Sequence, residues 1–135
     1  MSFLLDANVV SELRRPRPDP NVSAWIAGTA SDELYLSVLV VGELRQGVDR
    51  LRRRGDVTQA EHLERWLGAL RRDFAERLLP VDVAVAERWG ALNAVSPLPV
   101  VDGLLVATAL EHDLILVSRD APGWDTGVRL LNPWS

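Results

Sequence analysis

The 135-residue sequence has no cysteine, no lysine, two histidines, two phenylalanines and one tyrosine. Without cysteine there are no disulfide staples, thiolate zinc sites or thiol nucleophiles. Without lysine there is no Schiff-base chemistry, no phosphate-cradling P-loop lysine, and no lysine beside the acidic pocket of a receiver-type phosphotransfer domain. Long apolar runs are also missing. The stretch Val38 to Val41 and the segment Leu104 to Leu110 fall far short of the ~20 residues that cross a bilayer. Met1 to Val10 has no basic residue and carries Asp6 inside its apolar run, unlike a secretion signal. The expectation is a cytoplasmic protein with no membrane partner.

What is present points to one globular domain over residues 1–135: 47% of residues are hydrophobic and 25% charged, a balance that disordered chains lack. The net charge of −4 is uneven, because residues 45–77 hold nine arginines against six acids while both flanks are acidic.

Phe3, Leu4 and Leu5 read as a strand buried on both faces, with Asp6 at its carboxyl end. Ala7 to Arg14 predicts a helix closed by Pro16, Pro18 and Pro20. Asp19 is placed to cap a second helix, with Pro20 at its first position and Val22, Trp25 and Ile26 as its apolar stripe. Leu34 to Leu36 is a second strand, and Ser37 caps a helix over 38–54. In that helix Val40, Glu43, Leu44 and Gly47 recur at intervals of one to four residues, which puts Glu43 on the core-directed face. Residues 57–78 predict another helix and 78–81 a third strand. Asp82 caps a helix containing Val85, Trp89 and Leu92, and 101–111 is a helix with Asp102 in its first turn. Strands at 115–117 and 128–131 complete the pattern, separated by a Pro and Gly loop. Alternation of strands and helices predicts a three-layer α/β/α sandwich with a short central parallel sheet. In such sheets ligands bind beyond the carboxyl ends of the strands, where strand order reverses.

Asp6, Glu43, Asp102 and Asp120 each fall at or just after that edge. Four carboxylates in one cleft repel one another severely unless a cation lies between them, and hard oxygen ligands suit Mg²⁺ or Mn²⁺ rather than zinc. Taken singly, Asp6 also reads as a helix cap, Asp102 as a complement to a helix dipole, and Asp120 as a turn former. Glu43 on an apolar face, with no lysine to pair with it, is costly unless ligated or bridged by arginine.

Five stretches carry a resemblance: Leu5-Asp6-Ala7-Asn8-Val9-Val10-Ser11-Glu12; Gly42-Glu43-Leu44-Arg45-Gln46-Gly47; Val101-Asp102-Gly103-Leu104 with Ala107-Thr108-Ala109; Val117-Ser118-Arg119-Asp120; and Leu131-Asn132-Pro133-Trp134. In this order they resemble the PIN domain, and within it the VapC toxins of bacterial toxin-antitoxin pairs, on the FitB-like branch. The resemblance covers nearly the whole chain. It implies a Mg²⁺- or Mn²⁺-dependent endoribonuclease with Asp6, Glu43, Asp102 and Asp120 as acidic ligands, and Asn8 and Ser118 supporting them. It further implies 5′-phosphate and 3′-hydroxyl products, a VapB-like antitoxin covering the cleft, and a homodimer that becomes a heterotetramer or larger with the antitoxin. Where Ser118 stands the family commonly has threonine. Many members have asparagine in place of Asp120 with an acid a few residues on, where this sequence has Gly123 and Trp124.

For RNA binding by an acidic protein a local positive surface is needed. Arg50, Arg52, Arg53, Arg54, Arg71 and Arg72 supply one, unless Asp49, Asp56, Glu61 and Glu64 simply balance them as a solvated face. Arg119 is nearer the acids, placed either to touch phosphate or to hold a carboxylate. Trp124 is a candidate for stacking on a base, Trp25 and Ile26 for a dimer contact, and His112 for a contact with helix-terminal carbonyls. Two other function classes remain open on residues alone: a non-catalytic module that docks an antitoxin, and a metal-dependent DNA nuclease or phosphatase using the same acids.

Overall fold

The computed structural model describes residues 1–120 and 125–135. The Pro and Gly loop expected after Asp120, with Gly123 and Trp124, lies outside them.

The chain runs β1 (Phe3–Leu5), α1 (Ala7–Arg14), α2 (Pro20–Ala27), a 3₁₀ turn, β2 (Leu34–Ser37), α3 (Val38–Arg53), α4 (Val57–Asp73), β3 (Leu78–Leu79), α5 (Val83–Val95), α6 (Val100–Glu111), β4 (Ile115–Val117) and β5 (Leu130–Leu131). All strand pairs are parallel, in the order β3-β2-β1-β4-β5. The chain builds outward from β1 in one direction and returns to its other side with β4. The point of reversal is therefore the β1–β4 seam, where Phe3, Leu4 and Leu5 pair with Ile115, Leu116 and Val117.

The strands are apolar on both faces because helices cover both; Leu4, Leu36, Leu116 and Val117 are fully buried. Helix starts follow their caps. Asp19 accepts hydrogen bonds from the Asn21 and Val22 N–H groups, Ser37 from Leu39, and Asp82 from Val85, as the sequence predicts. Helix α3 buries Val40, Leu44 and Val48, and α4 buries Ala60, Leu63 and Leu67. The turn between them uses Gly55 at φ +84°, a left-handed conformation that glycine adopts without steric cost.

Four expectations are corrected. The helix expected over 57–78 ends at Asp73, because the chain must turn there for Arg77 to reach β2: its carbonyl accepts from the Leu36 N–H and its Nε donates to the Leu34 carbonyl. The third strand stops at Leu79 and the last comprises Leu130–Leu131 alone. Glu43 is exposed and not on the buried stripe, since at about 100° per residue it lies beside the line from Val40 to Leu44 rather than on it. Trp25 and Ile26 pack partly against the core, Trp25 standing edge-on to Phe3 at 5.0 Å, and keep part of their surface open. More exposed apolar side chains lie at Val83, Val95 and Val100.

Among the described residues no single helix is long and apolar enough to cross a membrane; α5 and α6 reach that length only together, across a 119° bend.

Candidate active site

Asp6 is the first residue beyond β1, and its N–H continues the β1–β4 seam by donating to the Val117 carbonyl at 3.1 Å. One carboxylate oxygen accepts from the Val9 N–H at 3.1 Å and so caps α1; the other accepts from the Ser118 hydroxyl at 2.5 Å. Asp6 therefore caps α1, as one of its two readings expects, while its carboxylate stays at the carboxyl edge of the sheet. Ser118, 2% exposed, follows β4 directly and donates its own N–H to Leu131 at 3.0 Å. Parallel pairing of β1, β4 and β5 thus brings two polar side chains from opposite ends of the chain into contact.

Asp102 lies in the first turn of α6, a helix that no side chain caps. Its placement depends on its neighbour. A Cβ on Gly103 would lie 3.0 Å from the Trp89 ring, so the absence of a side chain lets the indole of α5 press against the start of α6. Among the described residues the Trp89 Nε1 is buried there without a hydrogen-bond partner, a cost that surrounding packing must offset. Glu43 reaches the same place from the second turn of α3, and Asp120 from just past β4.

These side chains meet. A cavity of about 270 Å³ at the carboxyl edge of the sheet is lined by Asp6, Ala7, Asn8, Glu43, Asp102, Leu105, Ser118 and Asp120. All six residues singled out as ligands or their supports line it, and none of the lining residues is basic. Burial raises the Asp6 pKa above the ordinary carboxylate value and the Asp120 charge adds to that, while hydrogen bonds from Ser118, Val9 and Asn8 oppose it. The Glu43 pKa is raised by partial loss of water in the cleft, then by the charges of Asp6 and Asp102. Because Glu43 is exposed on its outer side, its shift carries little stability cost.

The donor set consists wholly of oxygens and has excess negative charge, which fits a hard divalent cation and not zinc. The side chains as they stand do not close a cage: among the described residues no three acidic or imidazole groups converge on one ligation point. Mutual repulsion opposes such convergence, and both Asp6 oxygens already accept hydrogen bonds.

The arginines lie elsewhere. Arg119 stacks on Trp134, its guanidinium carbon 5.0 Å from the ring centroid, and lines a neighbouring depression. Arg52 pairs with Asp49 and Glu64, and Arg45 also pairs with Glu64, so part of the basic segment is balanced internally. His112 caps the end of α6 through its backbone N–H. Glu12 escaped sequence reasoning: it is 6% exposed, with one oxygen accepting from Arg15 at 3.2 Å and the other from the Asp19 N–H at 2.9 Å. The available signal was an acid on the same helical face as the core residue Val9.

The family model for the PIN domain matches residues 3–122. Toxin FitB of Neisseria gonorrhoeae is 35% identical, with 98% of each chain aligned. VapC ribonuclease Y4jK of Sinorhizobium fredii is 32% identical over 98% of this chain and 97% of its own. The crystal structure of FitAcB from Neisseria gonorrhoeae superposes with a TM-score of 0.90 at 33% identity, covering 98% of both chains. The five-stranded parallel sheet flanked by helices is the α/β/α arrangement expected, and the chain belongs to the PIN-domain family, among relatives that are FitB- and VapC-type toxins.

Proposed function

We propose that the chain is a Mg²⁺- or Mn²⁺-dependent endoribonuclease toxin that hydrolyses RNA phosphodiester bonds with water as nucleophile. The observation that carries this reading is the gathering of Asp6, Glu43, Asp102 and Asp120 in a single cavity with no basic residue in its lining; the ribonuclease named among its relatives supports the substrate class. A divalent ion bound by these acids lowers the pKa of water and offsets the charge of the phosphate. Asp6 is held in one rotamer by Val9 and Ser118, which makes it the fixed ligand of the set. Asp102, Glu43 and Asp120 move to complete it. Asn8, exposed at the cavity wall, is positioned to hydrogen-bond water or a phosphate oxygen.

An antitoxin of the VapB type neutralises the chain by covering this cleft, and the two form a heterotetramer or larger assembly around a toxin homodimer. This part rests on family membership.

Purified chain incubated with total cellular RNA and Mg²⁺ or Mn²⁺ should cleave it; EDTA should stop cleavage, and Asp6→Asn, which keeps the helix cap, should be inactive. Equal cleavage by Asp6→Asn, or by the chain in EDTA, would refute the mechanism.

A further inference from the structure

Two segments of the resembling stretches do not line the acidic cavity: Ser11-Glu12 in α1, and the closing Asn132-Pro133-Trp134. They come together next to it. A depression of about 480 Å³ is lined by Glu12, Arg15, Arg17, Asp19, Arg119 and Trp134, with Pro16 between the first arginines. We infer that this depression is a subsite for single-stranded RNA, in which Arg15, Arg17 and Arg119 bind a backbone phosphate adjoining the scissile one and the Arg119–Trp134 stack supports the attached base. The inference rests on the ribonuclease reading and adds to it where the strand lies.

Of the two acids in the depression only Glu12 pairs with one of its arginines, Arg15, which leaves Arg17 and Arg119 uncancelled by either acid. Glu12 is buried and spends its oxygens on Arg15 and the Asp19 N–H. Asp19 faces the start of α2, capping it through the Asn21 and Val22 N–H groups. Arg15 keeps a 68% exposed side chain, and among the described residues Arg17 has no hydrogen bond or ion pair. The stacking platform is built rather than incidental. The Asn132 side chain accepts from the Trp134 N–H at 2.9 Å and donates to the Arg119 carbonyl at 3.2 Å, while Asn21 donates to the Trp134 carbonyl at 2.9 Å. These bonds hold the backbones of both residues, with the Arg119 guanidinium carbon 5.0 Å over the indole centroid; an arginine and an aromatic ring together are a recurrent means of holding unstacked RNA bases.

Continuity with the cavity follows from the chain itself. Ser118 and Asp120 line the acidic cleft and Arg119, between them, lines the depression. Neighbouring Cα atoms are about 3.8 Å apart, so a strand whose phosphate sits among the acids has its next phosphate within reach of Arg119. The basic segment of α3 is worse placed: Arg53 lies ten residues beyond Glu43, about 15 Å along the helix axis.

The test measures binding of a fluorescent single-stranded RNA to the Asp102→Asn chain by anisotropy, in Mg²⁺, across a salt series. Adding Arg119→Ala or Arg17→Ala should weaken binding about tenfold and reduce the salt slope by about 0.7 per arginine, as expected for one lost phosphate contact on a single strand. Arg119→Lys keeps the charge but loses the planar stack, and should fall between. Arg17→Ala breaks no contact within the fold, so an unchanged melting temperature is expected. Unchanged affinity and slope in both alanine variants would overturn the inference. So would unchanged RNA binding together with weakened copurification of the antitoxin, which would assign the depression to the protein partner. Loss of cleavage is scored separately, since binding of uncut RNA needs no turnover.

Discussion

Two groups of carboxylates in this molecule experience opposite electrostatics. On the α3–α4 hairpin, Glu64 receives hydrogen bonds from both Arg45 and Arg52, and these arginines pull its pKa down to about 2. At the sheet edge, Asp6 and Glu43 have raised pKa values, through burial and the charges of neighbouring acids. The chain is rich in arginine, yet none lines the acidic cavity. A fold that needed those acids only as caps would gain by pairing them. On the hairpin Glu64 finds its cations within the chain, whereas no arginine lines the cleft that holds Asp6 and Glu43.

The sharpest way to break this comparison is to remove cleft charge without changing shape. Asp102→Asn should lower RNA cleavage by at least about a hundredfold, the scale of losing one well-placed electrostatic group in an active site, with the circular dichroism spectrum unchanged. Ser118→Ala, which removes only the hydroxyl holding Asp6, should cost about 10–100-fold, as for groups that orient a ligand, and Ser118→Thr should restore most of it. Mg²⁺ or Mn²⁺ should raise the melting temperature of the parent chain, by the equivalent of about 2.7 kcal/mol at a hundred times Kd, and leave Asp6→Asn unmoved. A parent chain whose melting is indifferent to divalent ions would remove the contrast between cleft and hairpin.

Much of this was legible in the sequence because it is encoded locally. Strands buried on both faces, the caps Asp19, Ser37 and Asp82, and the acids at strand ends are read within a few residues of each one. What was not legible depends on partners far along the chain. Helix α4 ends at Asp73 because Arg77 must bond β2, and nothing between 57 and 78 announces that. Glu43 alternates between core and cleft by a rotation of one residue, which periodicity alone does not resolve. The buried Glu12 is recognisable only once the turn to Asp19 brings a backbone N–H to it. The Gly103–Trp89 contact joins two helices whose crossing no sequence pattern specifies.

That contact gives a smaller, purely structural effect on the cleft. Gly103→Ala places a methyl 3.0 Å from the Trp89 ring, and relief requires the indole or the start of α6 to shift. Overpacking of this kind costs about 1–3 kcal/mol, to be read from the urea midpoint at constant slope. Asp102 is one residue away, so cleavage should fall further than stability predicts. A companion Trp89→Phe change, narrowing the ring, should recover part of both.

The smallest effect is expected on the hairpin, and its pH dependence separates the two regions. Glu64 has its pKa lowered from 4.5 to about 2 in the folded chain, so the folded state binds fewer protons than the unfolded state within that window. Stability from the Arg45 and Arg52 pairs is therefore complete above about pH 4.5 and is lost as pH falls toward 2. Glu64→Gln should lower the melting temperature slightly at neutral pH, as befits an exposed pair, and the difference from the parent should shrink through the same window. The cleft acids carry the opposite sign. With Asp6 raised above its unfolded value, folding favours its protonated form, so Asp6→Asn should raise the melting temperature at neutral pH in the absence of divalent ions, and that gain should fade as pH falls through the carboxylate range. If both variants shifted stability in the same direction with pH, the cleft acids would have to be compensated from within the chain after all, and the case for an external cation would lose its electrostatic basis.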